Sequence, residues 1–163
     1  MKEHQNLFRD LQEDFRKMKK NLLVAQSGGP TAAINATLAG VIKQAIKEEQ
    51  IDQVYGACYG IQGVLEQKFV NLTEKVDTEE KLEKLKRTPA AALGSCRFKL
   101  NDIKEDDSQY QEIVDILHKM NIGYFVYIGG NDSMDTVAKL SAYCKEKGVE
   151  DIKVIGGPKT VRR

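Results

Sequence analysis

The sequence predicts an α/β protein of three layers built on a mostly parallel sheet. Three observations carry that prediction. Short apolar runs end in glycine pairs, segments with helical apolar spacing separate those runs, and neither an internal repeat nor a low-complexity linker interrupts the alternation. At 163 residues the chain is long enough for one domain with a real core. Hydrophobic residues make 41% and charged residues 30% of it, which decides against a disordered or coiled-coil composition.

The elements follow in order. Residues 1–20 place Leu7, Phe8, Leu11, Phe15 and Met18 at near-helical spacing with charges between them, so they predict one amphipathic helix. It reads as an amino-terminal extension, because the first strand starts at Asn21; a partner-binding surface is the other reading. NLLVAQ (21–26) is a strand that runs into Ser-Gly-Gly-Pro, and residues 31–49 carry Ala, Ile, Leu and Val at helical intervals. DQVYGACYG (52–60) is a second strand, which completes a βαβ unit. FVNLT (69–73) reads as a short extended piece, 77–87 as a charged surface helix, and 88–100 as a loop bearing Gly94, Ser95 and Arg97. From Gln109, the residues Ile113, Val114, Leu117 and Met120 form one face of a helix. Residues 124–130 are then an apolar strand ending in two glycines, and 131–148 a helix whose Asp132 and Ser133 can cap its first turn and whose stop is Gly148. IKVIGG (152–157) is the last strand. Strands alternating with helices imply a parallel sheet covered on both faces, with ligands collected at the strands' carboxyl ends.

Charge and cysteine content narrow the function classes. Twenty-five Lys and Arg against 24 Asp and Glu leave a net charge of +1, so no overall field gathers nucleic acid or an anionic membrane, and an anion site must be local. Cys58, Cys96 and Cys144 form no CxxC pair and predict reduced thiols rather than a zinc site. No apolar stretch approaches the roughly 20 residues that a bilayer requires, and no signal peptide is evident. A cytoplasmic protein is the expectation.

The strongest regularity is the set of three glycine pairs, Gly28-Gly29, Gly129-Gly130 and Gly156-Gly157, each read as following a strand. In a parallel sheet the three turns would share one edge. Glycine lets the main chain approach a ligand closely, and a helix opening just afterwards offers unpaired N–H groups and a positive dipole end to a phosphate. Neither GxGxxG nor GxxxxGK[ST] occurs, which disfavours a dinucleotide fold and a P-loop.

Taken together, QSGGPTAAIN (26–35), YGACYGIQG (55–63), LGSCRFK (93–99), YIGGNDSMDT (127–136) and GGPKT (156–160) resemble the phosphofructokinase family, in particular its pyrophosphate-dependent branch. The resemblance runs from about Lys19 to Thr160 with its motifs in the family's order. It implies the amino-terminal, phosphoryl-donor-binding domain of such an enzyme, Rossmann-like and incomplete, over residues 21–163. It also implies transfer of a phosphoryl group, with magnesium, from pyrophosphate to fructose 6-phosphate. Gly28 and Gly29 resemble the donor turn, with the Gly29 N–H on the donor phosphate; Arg97 resembles the arginine that braces it; Gly129 and Gly130 belong to the second turn. Asp132 resembles the residue that excludes a nucleotide's α-phosphate, and Lys159, followed by Thr160, the lysine that stabilises the transferring group. Both roles are sound physically, since a carboxylate repels a longer polyphosphate and an ammonium group meets charge growing on the leaving phosphate. Asn131 stands where many relatives have a magnesium-binding aspartate; an amide oxygen is the weaker ligand, and water or donor phosphates would have to complete the shell. Tyr55 and Tyr59 read as packing residues, His4 and His118 as surface positions without a partner.

The resemblance implies more than this chain carries. The family continues after the lysine and threonine with Ile-Asp-Asn-Asp, its first aspartate acting as the base, whereas here Val161, Arg162 and Arg163 follow, and an arginine cannot accept a proton. The expectation is a truncated or frame-disrupted member with little turnover by itself and a tendency to form homo-oligomers. An ATP-dependent phosphofructokinase, a kinase domain of the NAD-kinase or lipid-kinase type, and a non-catalytic phosphate-binding or interaction module are the alternatives.

Overall fold

A computed structural model describes residues 1–29, 31 and 33–159. The expectations for Thr160, Val161, Arg162 and Arg163 therefore lie outside the described residues. The first helix, α1 (Lys2–Met18), leads into β1 (Lys20–Gln26), α2 (Ile34–Lys47) and β2 (Ile51–Ala57). A short helix α3 (Gly60–Leu65), a three-residue strand β3 (Phe69–Asn71), α4 (Leu72–Lys75) and α5 (Glu79–Arg87) follow. After a long loop come α6 (Ser108–Lys119), β4 (Ile122–Gly129), α7 (Asn131–Glu146) and β5 (Lys153–Pro158).

The strands form one sheet in the order β3-β2-β1-β4-β5. β1 pairs in parallel with β2 and β4, and β4 with β5, while β3 is antiparallel at the edge. The pleat sends alternate residues of β1 to opposite faces, and each face is apolar because each is covered. Leu22 and Val24 pack in a cluster with Leu38 and Ile42 of α2, Leu82 of α5 and Val126 and Ile128 of β4. Leu23 and Ala25 join the other cluster, with Ile61 of α3, Ile113 and Leu117 of α6, Phe125 of β4, and Leu140 and Tyr143 of α7. Helix, sheet, helix is the three-layer α/β architecture that the alternation predicts. Phe125, Leu23 and Leu117 are wholly inaccessible, and burying each such side chain contributes about 1.5–3 kcal/mol.

β1 continues through α2 to one side and the chain later returns to β4 on the other side, so the strand order reverses between β1 and β4. An open α/β sheet forms its ligand crevice outside the carboxyl ends of the strands that flank such a reversal. Register brings those ends level: Gln26 pairs with Ile128, and Gly129 with Pro158.

Several details differ from the sequence reading. Gly156 and Gly157 lie inside β5, opposite Tyr127 and Ile128, so the third glycine pair is strand rather than turn. Helix α7 has Gly130 as N-cap, and Asp132 and Ser133 stand within its first turn without capping it by a side chain. Tyr59, at a left-handed φ of 67°, packs one side of its ring against Gly94 while remaining 53% exposed, and His118 is not solitary, since its Nε2 lies 3.0 Å from an Asp151 carboxylate oxygen. That bond holds the Asp151 carboxyl below its ordinary range. Helices α3 and α4 were not foreseen. α1 presents Leu7, Phe8, Leu11 and Met18 to solvent.

Candidate functional site

A cavity of about 1210 Å³ opens at the carboxyl ends of β1, β4 and β5. Three chain segments make one wall of it. The first is Ser27-Gly28-Gly29 after β1, the second Gly130 to Ser133 at the start of α7, and the third Lys159 at the end of β5. They meet closely. A Cβ at Gly28 would come 3.1 Å from Lys159 Cε and 3.5 Å from the Gly130 nitrogen, and Gly28 holds a φ of +87°, where a side chain is strained in any case. Gly129 is itself in β4 and does not line the cavity; its role in this geometry is close approach, since a Cβ there would lie 2.1 Å from Ser133 Oγ and 2.8 Å from the Ser27 carbonyl.

The Gly28–Gly29 turn has its carbonyls occupied. Ser95 Oγ donates to the Gly28 carbonyl at 2.8 Å, and Lys159 Nζ donates to the Gly29 carbonyl. Among the described residues no backbone or side-chain acceptor takes the N–H of Gly28 or Gly29. Oxygens that would repel an anion are thus already bonded, and the donors beside them remain free. The Lys159 main chain is fixed as well, its N–H bonding the Gly129 carbonyl at 3.0 Å.

The fourth side of the cavity is the loop 95–99, with Arg97 and Lys99 exposed on it and in no ion pair among the described residues. A polar device that sequence reasoning did not assign holds this loop. Gln26 and Asn35 are both completely buried. Gln26 Nε2 donates to Asn35 Oδ1 at 3.0 Å, the Leu93 N–H donates to Gln26 Oε1 at 2.9 Å, and the Ala92 N–H donates to Asn35 Oδ1 at 2.9 Å. Asn35 Nδ2 donates in turn to the carbonyls of Thr88 and Ala90. Ser27 Oγ adds a bond to the Cys96 carbonyl at 3.1 Å. The signal was available: an amide at the end of the apolar run NLLVAQ and another within an apolar helix face are each out of place unless bonded. Tyr127, 2% exposed, reaches the cavity floor, where its hydroxyl accepts from the Ile61 N–H at 3.3 Å; burial pushes its pKa up to about 12.

Gly28, Gly29, Arg97, Gly130, Asn131, Asp132 and Lys159 therefore share one cavity, and Thr160 lies outside the described residues. Asn131 and Asp132 are exposed at the mouth. Among the described residues no cluster of three or more His, Cys, Asp or Glu could hold a metal ion unaided. A magnesium ion keeps most of its shell as water and substrate phosphate, so the single amide oxygen of Asn131 at the mouth is compatible with it only where donor phosphates and water supply the rest. No helix among the described residues is long and apolar enough to cross a membrane.

Comparison with known proteins bears on this site. The family model described as Phosphofructokinase matches residues 21–163. A pyrophosphate-fructose 6-phosphate 1-phosphotransferase of Rhodospirillum rubrum is 41% identical over 143 residues, covering 88% of this chain and 33% of the relative. An ATP-dependent 6-phosphofructokinase of Bacteroides thetaiotaomicron is 30% identical over 141 residues, 85% of this chain and 38% of its own length. The crystal structure of a pyrophosphate-dependent phosphofructokinase from Nitrosospira multiformis superposes with a TM-score of 0.77 at 37% identity, covering 86% of this chain and 34% of that one. The chain thus spans about a third of the length of the relatives it matches.

Proposed function

The chain belongs to the phosphofructokinase family, and on that premise we propose that its cavity receives the phosphoryl donor of a phosphotransfer reaction. Pyrophosphate is the donor and fructose 6-phosphate the acceptor of the whole protein, the reaction named for the relative that is 41% identical. One observation carries the reading for this chain: the Gly28 turn, the start of α7 and Lys159 converge within 3.1–3.5 Å of a single point. Residues 21–163 are then a donor-binding domain and residues 1–20 an extension outside it. A cytoplasmic enzyme acting as a homo-oligomer goes with this reading, and its three thiols are free.

The residues suggest a division of labour. Phosphoryl transfer asks the protein for position and for charge placed where the leaving group becomes more negative. The free N–H groups of Gly28 and Gly29 and the leading N–H groups of α7 would hold the donor's oxygens. Lys159 would exchange the Gly29 carbonyl for a phosphate oxygen, and Arg97 would brace the donor from the facing loop. Asp132, at the mouth, would repel the additional phosphate of a longer polyphosphate. Magnesium, when bound, would be held by donor oxygens and water with the Asn131 amide oxygen and would neutralise part of the phosphate charge.

Calorimetric titration of the whole chain with pyrophosphate and with ATP, each with magnesium chloride, tests this directly. Pyrophosphate is expected to bind about five- to tenfold more tightly than ATP, and Lys159→Met to weaken pyrophosphate about tenfold or more, the worth of one hydrogen bond to a charged group. ATP binding as tightly as pyrophosphate, or an unchanged Lys159→Met variant, would overturn it.

A further inference from the structure

Helices of the domain begin in two ways, and lack of a side-chain cap is not confined to the cavity, since α6, which starts away from the cavity, has none. Away from it, Asn71 caps α4 through the Glu74 N–H at 3.2 Å, and Thr78 caps α5 through the Lys81 N–H at 3.2 Å. At the cavity, α7 opens on Gly130 and α2 on Ala33, and neither receives a side-chain cap. Alanine is among the poorest N-caps. A residue suited to that duty, Thr31, stands two positions earlier, where its carbonyl meets the Ile34 N–H at 3.4 Å and its hydroxyl caps nothing.

That hydroxyl is the unusual group. Among the described residues Thr31 Oγ1 is the buried side-chain polar atom without a hydrogen-bond partner, and Thr31 lines the cavity directly after the Gly28–Gly29 turn. Leaving a buried hydroxyl unbonded is unfavourable, and such a group in a folded protein calls for a reason. Three polar side chains around it are engaged: Ser27 Oγ with the Cys96 carbonyl, Ser95 Oγ with the Gly28 carbonyl, and Lys159 Nζ with the Gly29 carbonyl.

We propose that Thr31 is a further donor ligand, its hydroxyl bonding a phosphoryl oxygen of the small inorganic donor. The inference rests on the reading of the cavity as a donor site and adds a residue to it. Because a single rotamer change about the Cα–Cβ bond re-aims the Thr31 hydroxyl, with the methyl group turning into the place of the hydrogen, the hydroxyl reaches the anion without moving the main chain. It breaks no bond on the way, so the bond formed with a charged oxygen is not offset by one given up. In the free protein the same hydroxyl is a liability. The residue therefore trades stability of the empty site for affinity, which is the pattern expected of a binding group and the opposite of a structural one.

The test uses the whole chain and two variants, Thr31→Val and Thr31→Ser, with pyrophosphate and magnesium chloride in a calorimeter and thermal unfolding without ligand. Valine keeps the shape and removes the hydroxyl; serine keeps the hydroxyl. Thr31→Val is expected to weaken pyrophosphate about tenfold or more while melting at or above the wild-type temperature, and Thr31→Ser to bind within about threefold of wild type. Wild-type binding retained in Thr31→Val would overturn the role of Thr31 and leave the donor reading standing. A lower melting temperature for Thr31→Val would overturn it too, because the hydroxyl would then have a structural partner. A wild-type chain that does not bind pyrophosphate would overturn the donor reading, and this inference with it.

Discussion

Asn35→Ala is the sharpest perturbation of the site's scaffold, because the Asn35 side chain hydrogen-bonds no residue that lines the cavity yet holds the loop on which Arg97 rides. Four hydrogen bonds go with its side chain: two from Nδ2 to the carbonyls of Thr88 and Ala90, and two into Oδ1 from Gln26 Nε2 and the Ala92 N–H. At about 1 kcal/mol each, the gross loss is about 4 kcal/mol. Thr88, Ala90 and Ala92 lie near or at the surface, where water replaces part of it, whereas Gln26 is 0% exposed and keeps only its bonds to Leu93 and Ile34. A net destabilisation of about 3 kcal/mol follows, which for a domain of this size lowers the melting temperature by about 6–12 °C. Urea unfolding should show the midpoint fall with an unchanged slope. The same variant should weaken pyrophosphate in calorimetry despite its distance from the cavity, since residues 88–93 no longer fix the entry to 95–99. A loss below about 1 kcal/mol, or pyrophosphate affinity equal to wild type, would refute the argument that this buried amide pair positions the loop.

Two further perturbations test other parts of the structure. Burial keeps the Tyr127 phenol neutral up to about pH 12, against an ordinary value of 10.0, so between those values the folded protein retains a proton that the unfolded chain has lost. The stability this contributes is complete below pH 10.0 and disappears as pH rises toward 12, by at most about 3 kcal/mol. Tyr127→Phe should therefore flatten the fall in urea midpoint over that interval, with the remaining slope set by Tyr110 and Tyr143, which burial raises in the same direction; an unchanged alkaline limb would contradict it. On α1, the double change Phe8→Glu with Leu11→Glu should leave the melting temperature of the chain unaltered, because both side chains are exposed, and a loss of several degrees would show that α1 packs on the domain or on another copy.

How much of this was legible in the residues depends on which force decides each element. The long strands and the amphipathic helices were legible because burial on one face or both writes itself as periodicity, as in NLLVAQ or in Ile113, Val114 and Leu117. α3 and α4 were not, since six and four residues carry too little periodicity; α3 also starts on Tyr59 in the left-handed region, a conformation dictated by its neighbours. The glycine pairs were legible as residues but not as geometry. Gly28-Gly29 is a turn, yet Gly156-Gly157 continues β5 against Tyr127 and Ile128, and only pairing decides between the two. Asp132 and Ser133 were natural caps by composition, but the cap position falls on Gly130. Arg97 and Lys159 could be named from motifs, while the means that hold them, Gln26, Asn35 and the carbonyl of Gly29, bond across 67, 53 to 57 and 130 residues of chain.

The size of the cavity constrains how the proposed donor preference can arise. About 1210 Å³ exceeds the 300–1,000 Å³ of a typical small-molecule site, so volume alone would admit a nucleotide as readily as an inorganic diphosphate. Any preference for the smaller donor must then be electrostatic or reside in a few contacts. Asp132 is the carboxylate at the mouth, and it enters no ion pair among the described residues, so its charge is not neutralised by a neighbour. Two like unit charges about 4 Å apart cost about 1 kcal/mol in water and about 4 kcal/mol near a protein surface. At an exposed position the lower figure is the better guide, which corresponds to a preference of about five- to tenfold from repulsion alone. A larger preference would require the polyphosphate to press Asp132 out of water, and repulsion between exposed charges is weakened by salt. The ratio of pyrophosphate to ATP affinity should therefore narrow as ionic strength rises if the carboxylate acts across solvent, and hold steady if the discrimination is made in direct contact.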